Sequence, residues 1–353
     1  MKVPKKLFSM IGVLAMLAVL LVPATAFAAN VTGNVTASNT APTITSVTLQ
    51  NAGGTGVSAM TPQTEFLLEI VAGDVNTIDD ISTIDIEIYH DTTVGAGTPP
   101  AAWDSDDYAI YKWTKTGDVW SMENGAITTS WAVTTGNCTT PGTFTGLSGT
   151  WKLSFTPGKL AVESTGADTD EWNFKVTVTD AAAAPISDSS EVLNSMAAYS
   201  EISTDAGTGI TFGSGVTLGD TAYIDSVDGS GAHTFATQVL ANDAYALQSN
   251  TAATWTGSGT LTLDPDGTPS AAGEFGLNID DADGGSGAPD TPQAVTTSPA
   301  DITDHAADTR VTTAAEANEA TVNQAIYMSL TLYSTGIPTG AYSGTITFTV
   351  VNS

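Results

Sequence analysis

One cysteine, Cys138, stands in 353 residues, so an intrachain disulfide framework is excluded. A chain of this length must then be held by a hydrophobic core, by bound ions or by its neighbours. Cations are nearly as scarce. Nine Lys and Arg face 38 Asp and Glu, and three of the nine, Lys2, Lys5 and Lys6, lie before residue 28. From residue 29 onward six basic residues stand against 38 acidic ones, and none occurs between Lys175 and Arg310. Nucleic acid and anionic membrane surfaces both demand basic patches, and this balance excludes them as partners. A Lys–Asn isopeptide bond is impossible beyond Lys175. Catalytic signatures are missing too: there is no G-x-S-x-G, no P-loop and no H-E-x-x-H. His90, His233 and His305 are scattered and sit beside turn-like sequence. The expectation is a protein that is not an enzyme.

The one long apolar run lies at the start. Lys2, Lys5 and Lys6 precede Leu7 to Val22, and Pro23 with Ala24-Thr25-Ala26-Phe27-Ala28 completes an A-x-A-type site. This reads as a secretory signal peptide over 1–28, cut after Ala28, and it places the protein outside the cell, at its surface. No later apolar stretch is long enough to span a bilayer, so no membrane insertion is expected after cleavage.

The remainder reads as all-β. Short segments rich in Val, Ile, Thr and aromatics alternate with Gly, Asn, Asp and Pro turns. Expected strands include Thr43–Leu49, Glu65–Val71, Thr83–Tyr89, Ala109–Thr114, Trp151–Phe155, Trp172–Thr179, Ile210–Phe212, Thr234–Leu240, Thr260–Leu263, Ala325–Tyr333 and Thr345–Val351. Thr313–Gln324 is the only helix-like run. A composition break at Ala181-Ala182-Ala183-Ala184-Pro185 divides the chain into tandem antiparallel sandwiches. The expected plan is an N-terminal extension over 29–42, a first β-sandwich over 43–180 with an insertion at about 92–147, a linker over 181–198 and a second sandwich over 199–353. Residues 281–309 read as a surface loop.

Thr43–Leu49, Glu65–Val71 and Gly73-Asp74-Val75-Asn76-Thr77-Ile78-Asp79-Asp80 resemble the opening of immunoglobulin- or cadherin-like modules in prokaryotic secreted surface proteins. Trp172 to Asp180 resembles their closing strand. Gly340 to Val350 resembles the last hairpin of secreted wall and filament subunits. The resemblance implies a structural role, as an S-layer, filament or adhesin subunit.

Ca²⁺ is the cofactor the acidic loops suggest, because hard cations want six to eight oxygens from closely spaced carboxylates, amides and carbonyls. Four clusters qualify: Asp74, Asn76, Asp79 and Asp80; Asp104, Asp106 and Asp107; Asp264 and Asp266; and Asn278, Asp280, Asp281 and Asp283. The bland alternative for each is a solvated acidic turn. Asn30, Asn34 and Asn137 begin N-x-[ST] sequons and are candidate glycosylation sites. Six of the seven tryptophans precede residue 181. Trp113, Trp151 and Trp172 read as core, whereas Trp103, Trp120 and Trp131 could stack on cell-wall or host glycans.

The extension itself alternates. Val31, Gly33, Val35 and Ala37 fall on one side of a strand and Asn30, Thr32, Asn34, Thr36 and Ser38 on the other. Three readings stand: pairing within its own sandwich, a spacer, or strand addition to a neighbouring subunit, with Ser38 to Pro42 as a polar tether. The third is the expectation carried forward. Copies of the chain would then be its partners in a filament or surface layer, and a carbohydrate-binding adhesin is the alternative.

Overall fold

A computed structural model describes residues 38–95, 97–99, 106–123, 131–182, 185–204, 209–213, 215–224, 234–285, 288–311 and 321–352. The fold is all-β. Among the described residues there is no α-helix, only the 3-10 turn Ile78–Asp80, and so no helix long and apolar enough to cross a membrane.

Thr40–Ser353 form one compact unit. Its first ten strands are β1 (Thr43–Asn51), β2 (Ala59–Met60), β3 (Phe66–Gly73), β4 (Ile81–Asp91), β5 (Tyr108–Thr114), β6 (Val119–Met122), β7 (Ala132–Val133), β8 (Ser148–Thr156), β9 (Glu171–Asp180) and β10 (Pro185–Met196). They make two sheets, β1-β3-β8-β7 and β2-β10-β9-β4-β5-β6. Burial alternates as the period of two requires. Leu68 and Ile70 of β3, Ile84, Ile86 and Ile88 of β4, and Phe174, Val176 and Val178 of β9 point inward and are buried. Trp113, Trp151 and Trp172 complete the core, with Trp113 edge-on to Trp151 at 5.6 Å.

The outward face carries a second pattern. Glu69 lies opposite Lys152, Asp85 opposite Lys112 and Glu87 opposite Lys175 across neighbouring strands. The pairs close at 2.7, 3.0 and 2.6 Å. Each adds a few tenths of a kcal/mol to about 1 kcal/mol, and a slip of one residue would break it. Scarce lysines thus pin strand register.

Fourteen strands follow: β11 (Ser200–Thr204), β12 (Thr221–Tyr223), β13 (Phe235–Ala241), β14 (Tyr245–Thr251), β15 (Thr254–Gly257), β16 (Thr260–Leu263), β17 (Glu274–Asp280), β18 (Asp283–Gly285), β19 (Ala288–Pro289), β20 (Gln293–Ala294), β21 (Ala300–Asp301), β22 (Val322–Leu332), β23 (Tyr342–Ser343) and β24 (Ile346–Asn352). A nine-stranded sheet runs β11-β13-β22-β17-β16-β15-β23, with β12 beside β22 and β20 beside β17. A three-stranded sheet, β21-β14-β24, covers part of its inner face. A second hydrophobic cluster, including Phe235, Leu247, Phe275, Leu277, Ile326 and Met328, lies between them.

The two cores meet through the segment after β8. Leu160 belongs to the second cluster, and Lys159 pairs with Glu201 at 2.9 Å. Asn242 is wholly buried and ties three strands of chain together. Its Oδ1 accepts the Tyr199 N–H at 2.6 Å, and its Nδ2 donates to the Ala161 and Ala197 carbonyls at 2.6 and 3.1 Å. Arg310 closes on buried Asp106 at 3.1 Å.

Several expectations are corrected here. The segment 181–198 is no linker: a turn at Ala181–Ala182 returns the chain as β10, hydrogen-bonded to β9 from Pro185↔Thr179 to Asn194↔Trp172. Proline is tolerated at a strand's first position, so Pro185 opens β10 rather than ending a domain. The stretch 92–147 is no insertion, because β5 and β6 extend the larger sheet and place Trp113 opposite Trp120. The helix expected over Thr313–Gln324 fails at its end, where Val322, Asn323 and Gln324 pair with β13; residues 313–320 lie outside the described residues. Residues 281–309 are more than a surface loop, since Val295, Ile302 and His305 are buried. The last strands form no hairpin: β23 pairs with β15 and β24 with β14, in different sheets. Ile210–Phe212 forms only a bridge, Phe212↔Ile224.

The Asn242 junction yields a direct test. Asn242→Ala orphans the buried Ala161 carbonyl and removes the bonds to the part-buried Tyr199 N–H and the Ala197 carbonyl, and a buried orphan costs about 1–3 kcal/mol. Urea denaturation should show a loss of at least about 2 kcal/mol; an unchanged midpoint would remove Asn242 as the tie between the cores.

Candidate functional site

Close packing leaves few voids larger than a water molecule inside a sandwich. The second core departs from this. A groove of about 1000 Å³ opens between the end of the nine-stranded sheet and β24. Phe235, Trp255, Leu261, Leu330 and Leu332 line it from the large sheet, and Ile346 and Phe348 line it from β24. Thr204 and residues from 209–213, 215–218 and 337–345 form its remaining walls. Phe348 is only half-buried, although its ring meets Phe235 at 5.3 Å.

The second wall is fixed by close backbone approach. A Cβ on Gly344 would fall 2.0 Å from the Trp255 ring, and one on Gly257 would fall 1.8 Å from the Ala341 carbonyl. Only glycine permits either contact. Among the described residues, no Asp, Glu, Lys, Arg, His or Cys lines the groove. In so acidic a chain, that is a strongly neutral surface.

The edge beside the groove is also open. Among the described residues, β24 pairs with β14 alone, and it approaches β11 without forming a ladder with it. Tyr245 and Leu247 of β14 spend their backbone groups on Asp308, His305 and Ile302, on the side away from β24. The β14–β24 ladder bonds therefore fall at Ala246↔Val351, Gln248↔Thr349 and Asn250↔Thr347. By alternation, the N–H and C=O groups of Ile346, Phe348 and Val350 face the free edge. Among the described residues they have no ladder partner. An apolar groove beside an unpaired edge is the geometry that accepts an extended peptide.

The acidic clusters hold together in different ways. Asp74 is buried; its Oδ1 accepts the Asn76 N–H at 2.7 Å, while its Oδ2 is buried without a hydrogen-bond partner. Asn76 Oδ1 accepts the Thr40 N–H at 3.3 Å, Asp79 pairs with Lys115 at 2.7 Å, and Asp80 sits in the 3-10 turn. Asp106 is taken by Arg310, the Asp107 carbonyl accepts the His90 N–H at 2.8 Å, and Asp104 lies outside the described residues. Asp264 accepts the Asp266 N–H at 3.1 Å, and Asp266 accepts the Thr268 N–H at 2.9 Å. Asn278 Nδ2 donates to the Gly267 carbonyl at 3.2 Å, so the third and fourth clusters meet. Asp280 accepts the Asp281 and Thr291 N–H groups at 3.0 and 2.6 Å. The Asp283 side chain is outside the description. Among the described residues, no group of three or more His, Cys, Asp or Glu is arranged to hold a metal ion.

Other candidates change character. Trp120 and Trp131, left open as sugar platforms, are buried at 3% exposure each; Trp103 lies outside the described residues. Asn137 is exposed, and its Nδ2 donates to Glu65 at 2.6 Å. Val31, Gly33, Val35, Ala37, Asn30 and Asn34 lie outside the described residues, as does His233. His90 bonds Asp170 at 3.0 Å, and His305 bonds Asp308 at 2.8 Å. Cys138 Sγ accepts the Ser154 N–H at 3.2 Å, and burial pushes its thiol up. The groove itself was not read from the sequence. The faint signal for it was β24's own alternation, Ile346, Phe348 and Val350 against Thr347 and Thr349, at the chain's end.

No protein-family model matches the chain, and no curated protein matches it.

Carboxylate environments set a pH dependence. Hydrogen bonds from Ser154 and Asn137 hold Glu65 below its ordinary 4.5, and Lys152 does the same for Glu69. Burial, with Asp243 and Asp170 nearby, raises Glu163. Burial also raises Asp281, where His305 opposes the shift and Asp280 and Asp304 add to it. Stability from the lowered pair is present above their unfolded values and lost as pH falls through the folded ones. Stability associated with the raised pair is complete below their unfolded values and lost as pH rises through the folded ones. The melting temperature should therefore peak on the acid side of neutrality. Glu163→Gln should raise it at pH 7 and flatten the decline above pH 4.5; a melting temperature climbing steadily to pH 8 would contradict this.

Proposed function

We propose that this protein is an exported structural subunit of the cell surface that polymerises with copies of itself into a filament or layer. Each subunit completes its open C-terminal sandwich with an extended strand from another chain. The observation that carries this reading is the apolar groove of about 1000 Å³, which has no charged side chain in its lining among the described residues, beside an edge of β24 that has no ladder partner among them. Such a surface left bare in water is an association site. All six basic residues beyond the leader are engaged in ion pairs, which supports a partner recognised by backbone and apolar contacts rather than by charge.

Calcium enters the proposal at one loop. The buried, unpaired Asp74 Oδ2 supports it, with Asn76, Asp79 and Asp80 in the same loop as further oxygen donors. This loop also holds the Thr40 N–H, so an ion there would stiffen the base of the N-terminal extension.

Sedimentation of the mature chain tests assembly. Wild type should sediment as a polymer, and Ile346→Pro should stay monomeric. That substitution removes an N–H facing the free edge and leaves the β14 ladder intact. Polymers of Ile346→Pro with wild-type yield would reject β24 as the assembly edge. For calcium, the melting temperature should fall on chelation in wild type but not in Asp74→Asn, and equal behaviour of the two chains would remove the ion from this loop.

A further inference from the structure

We propose that the second sandwich carries a site for a first-row divalent metal ion of the zinc type, bound between His305 Nε2 and the Asp281 carboxylate. The site is separate from the calcium loop at Asp74 and does not depend on the assembly reading.

Two layers of the sandwich bring these side chains together. His305 stands in the turn after β21. It donates its N–H to the Ile302 carbonyl at 2.9 Å, and its own carbonyl accepts the Leu247 N–H of β14 at 2.8 Å. Asp281 follows β17 directly, one residue beyond the Asp280↔Tyr327 pair of the nine-stranded sheet. The imidazole therefore arrives from the β14 layer and the carboxylate from the large sheet.

Both groups are left without partners where they meet. The His305 side chain is 7% exposed, and its Nε2 is buried with no hydrogen bond. Asp281 Oδ1 is buried with no hydrogen bond either. His305 Nε2 faces Asp281 Oδ2 at 3.6 Å, beyond hydrogen-bond range. The other ring nitrogen sets the protonation. His305 Nδ1 lies 2.8 Å from Asp308 Oδ2, and an ionised carboxylate only accepts, so Nδ1 carries the proton. In the neutral ring, Nε2 is then a lone pair aimed at a carboxylate. A buried pair of acceptors is costly unless a cation joins them. An imidazolium would close on Asp281 to about 2.7–2.9 Å, and the gap is wider than that. Two zinc bonds of about 2.1 Å meeting at roughly 110–120° span about 3.4–3.6 Å, which matches it.

The surroundings agree. Asp308 holding Nδ1–H is the outer member of a carboxylate–histidine–metal arrangement, which fixes the ring and raises its basicity. Asp308 is itself held by backbone bonds to Tyr245 at 2.8 and 3.0 Å and by Gln324 Nε2 at 3.4 Å. Asp280 and Asp304 add to the negative field at Asp281, and every Lys and Arg beyond residue 28 pairs with some other carboxylate. The nitrogen donor chooses the metal, because imidazole suits zinc and its neighbours whereas calcium takes oxygen. Two side chains are fewer than the four of a closed structural zinc site, so water completes the shell. The ion would clamp β17 to the segment that lines β14.

Zinc itself is the probe. The full mature chain, stripped with EDTA and held in excess Ca²⁺ to occupy the acidic loops, should bind one Zn²⁺ in a calorimetric titration. Its melting temperature should rise as Zn²⁺ is added. Binding should vanish in Asp281→Asn and in His305→Gln, and Asp308→Asn should weaken it about 10–100-fold. Ring spectra separate ligation from a merely structural role. Zn²⁺ should shift the Nε2 resonance of one histidine in long-range ¹H–¹⁵N spectra, and His305→Gln should delete that resonance. Should His305→Gln fail to fold, Asp281→Asn still decides, since its side chain is 26% exposed and its loss should abolish the shift. Wild-type zinc affinity in Asp281→Asn, displacement of the zinc by the calcium, or a His305 ring unmoved at saturating Zn²⁺ would each overturn the site.

Discussion

An apolar sheet face has to be covered, and the consequences of that constraint differ between the two cores. In the first, a four-stranded and a six-stranded sheet close on one another, and tryptophans fill the space between them. In the second, nine strands present an inner face and only three are set against it. The shortfall is the groove, which lies beside Ile346 and Phe348 of β24. Burial of apolar area at about 25 cal/mol per Å² is the dominant favourable term in folding and association alike. Among the described residues, the inner face of the nine-stranded sheet is covered only in part.

Electrostatics plays the opposite part. Beyond residue 28 six cations serve 38 acids, and the chain places three of them directly across from carboxylates on adjacent strands. A fourth, Lys159, and a fifth, Arg310, sit where the cores meet. Positive charge is thus spent on alignment and on joining the halves, where misplacement would be most damaging. The groove stays neutral.

Much of this was legible before any coordinates. Period-two alternation located β1, β3, β4, β5, β8, β9, β13, β16, β22 and β24, because one face of each is buried and the other is not. Trp113, Trp151 and Trp172 read as core for the same reason. What failed was punctuation. The alanine run before Pro185 looks like a boundary, yet the chain turns at Ala181–Ala182 and pairs back on β9 from Pro185, since proline is tolerated where a strand begins. The Ala- and Glu-rich run into Gln324 has helical density, yet its last residues complete a ladder with β13, and tertiary pairing outweighs local propensity. Trp120 and Trp131 could not be placed because burial depends on strands distant in sequence. The groove was invisible because it is defined by what two sheets leave uncovered.

With every lysine and arginine among the described residues already paired with a carboxylate, the outer surface carries a large excess of negative charge. Two such bodies brought flank to flank repel one another across roughly 8–10 Å of physiological saline, and much farther in dilute buffer. In the assembly proposed above, sideways spacing would be governed by the surrounding electrolyte, with divalent counter-ions drawing rows together and their withdrawal letting the rows drift apart.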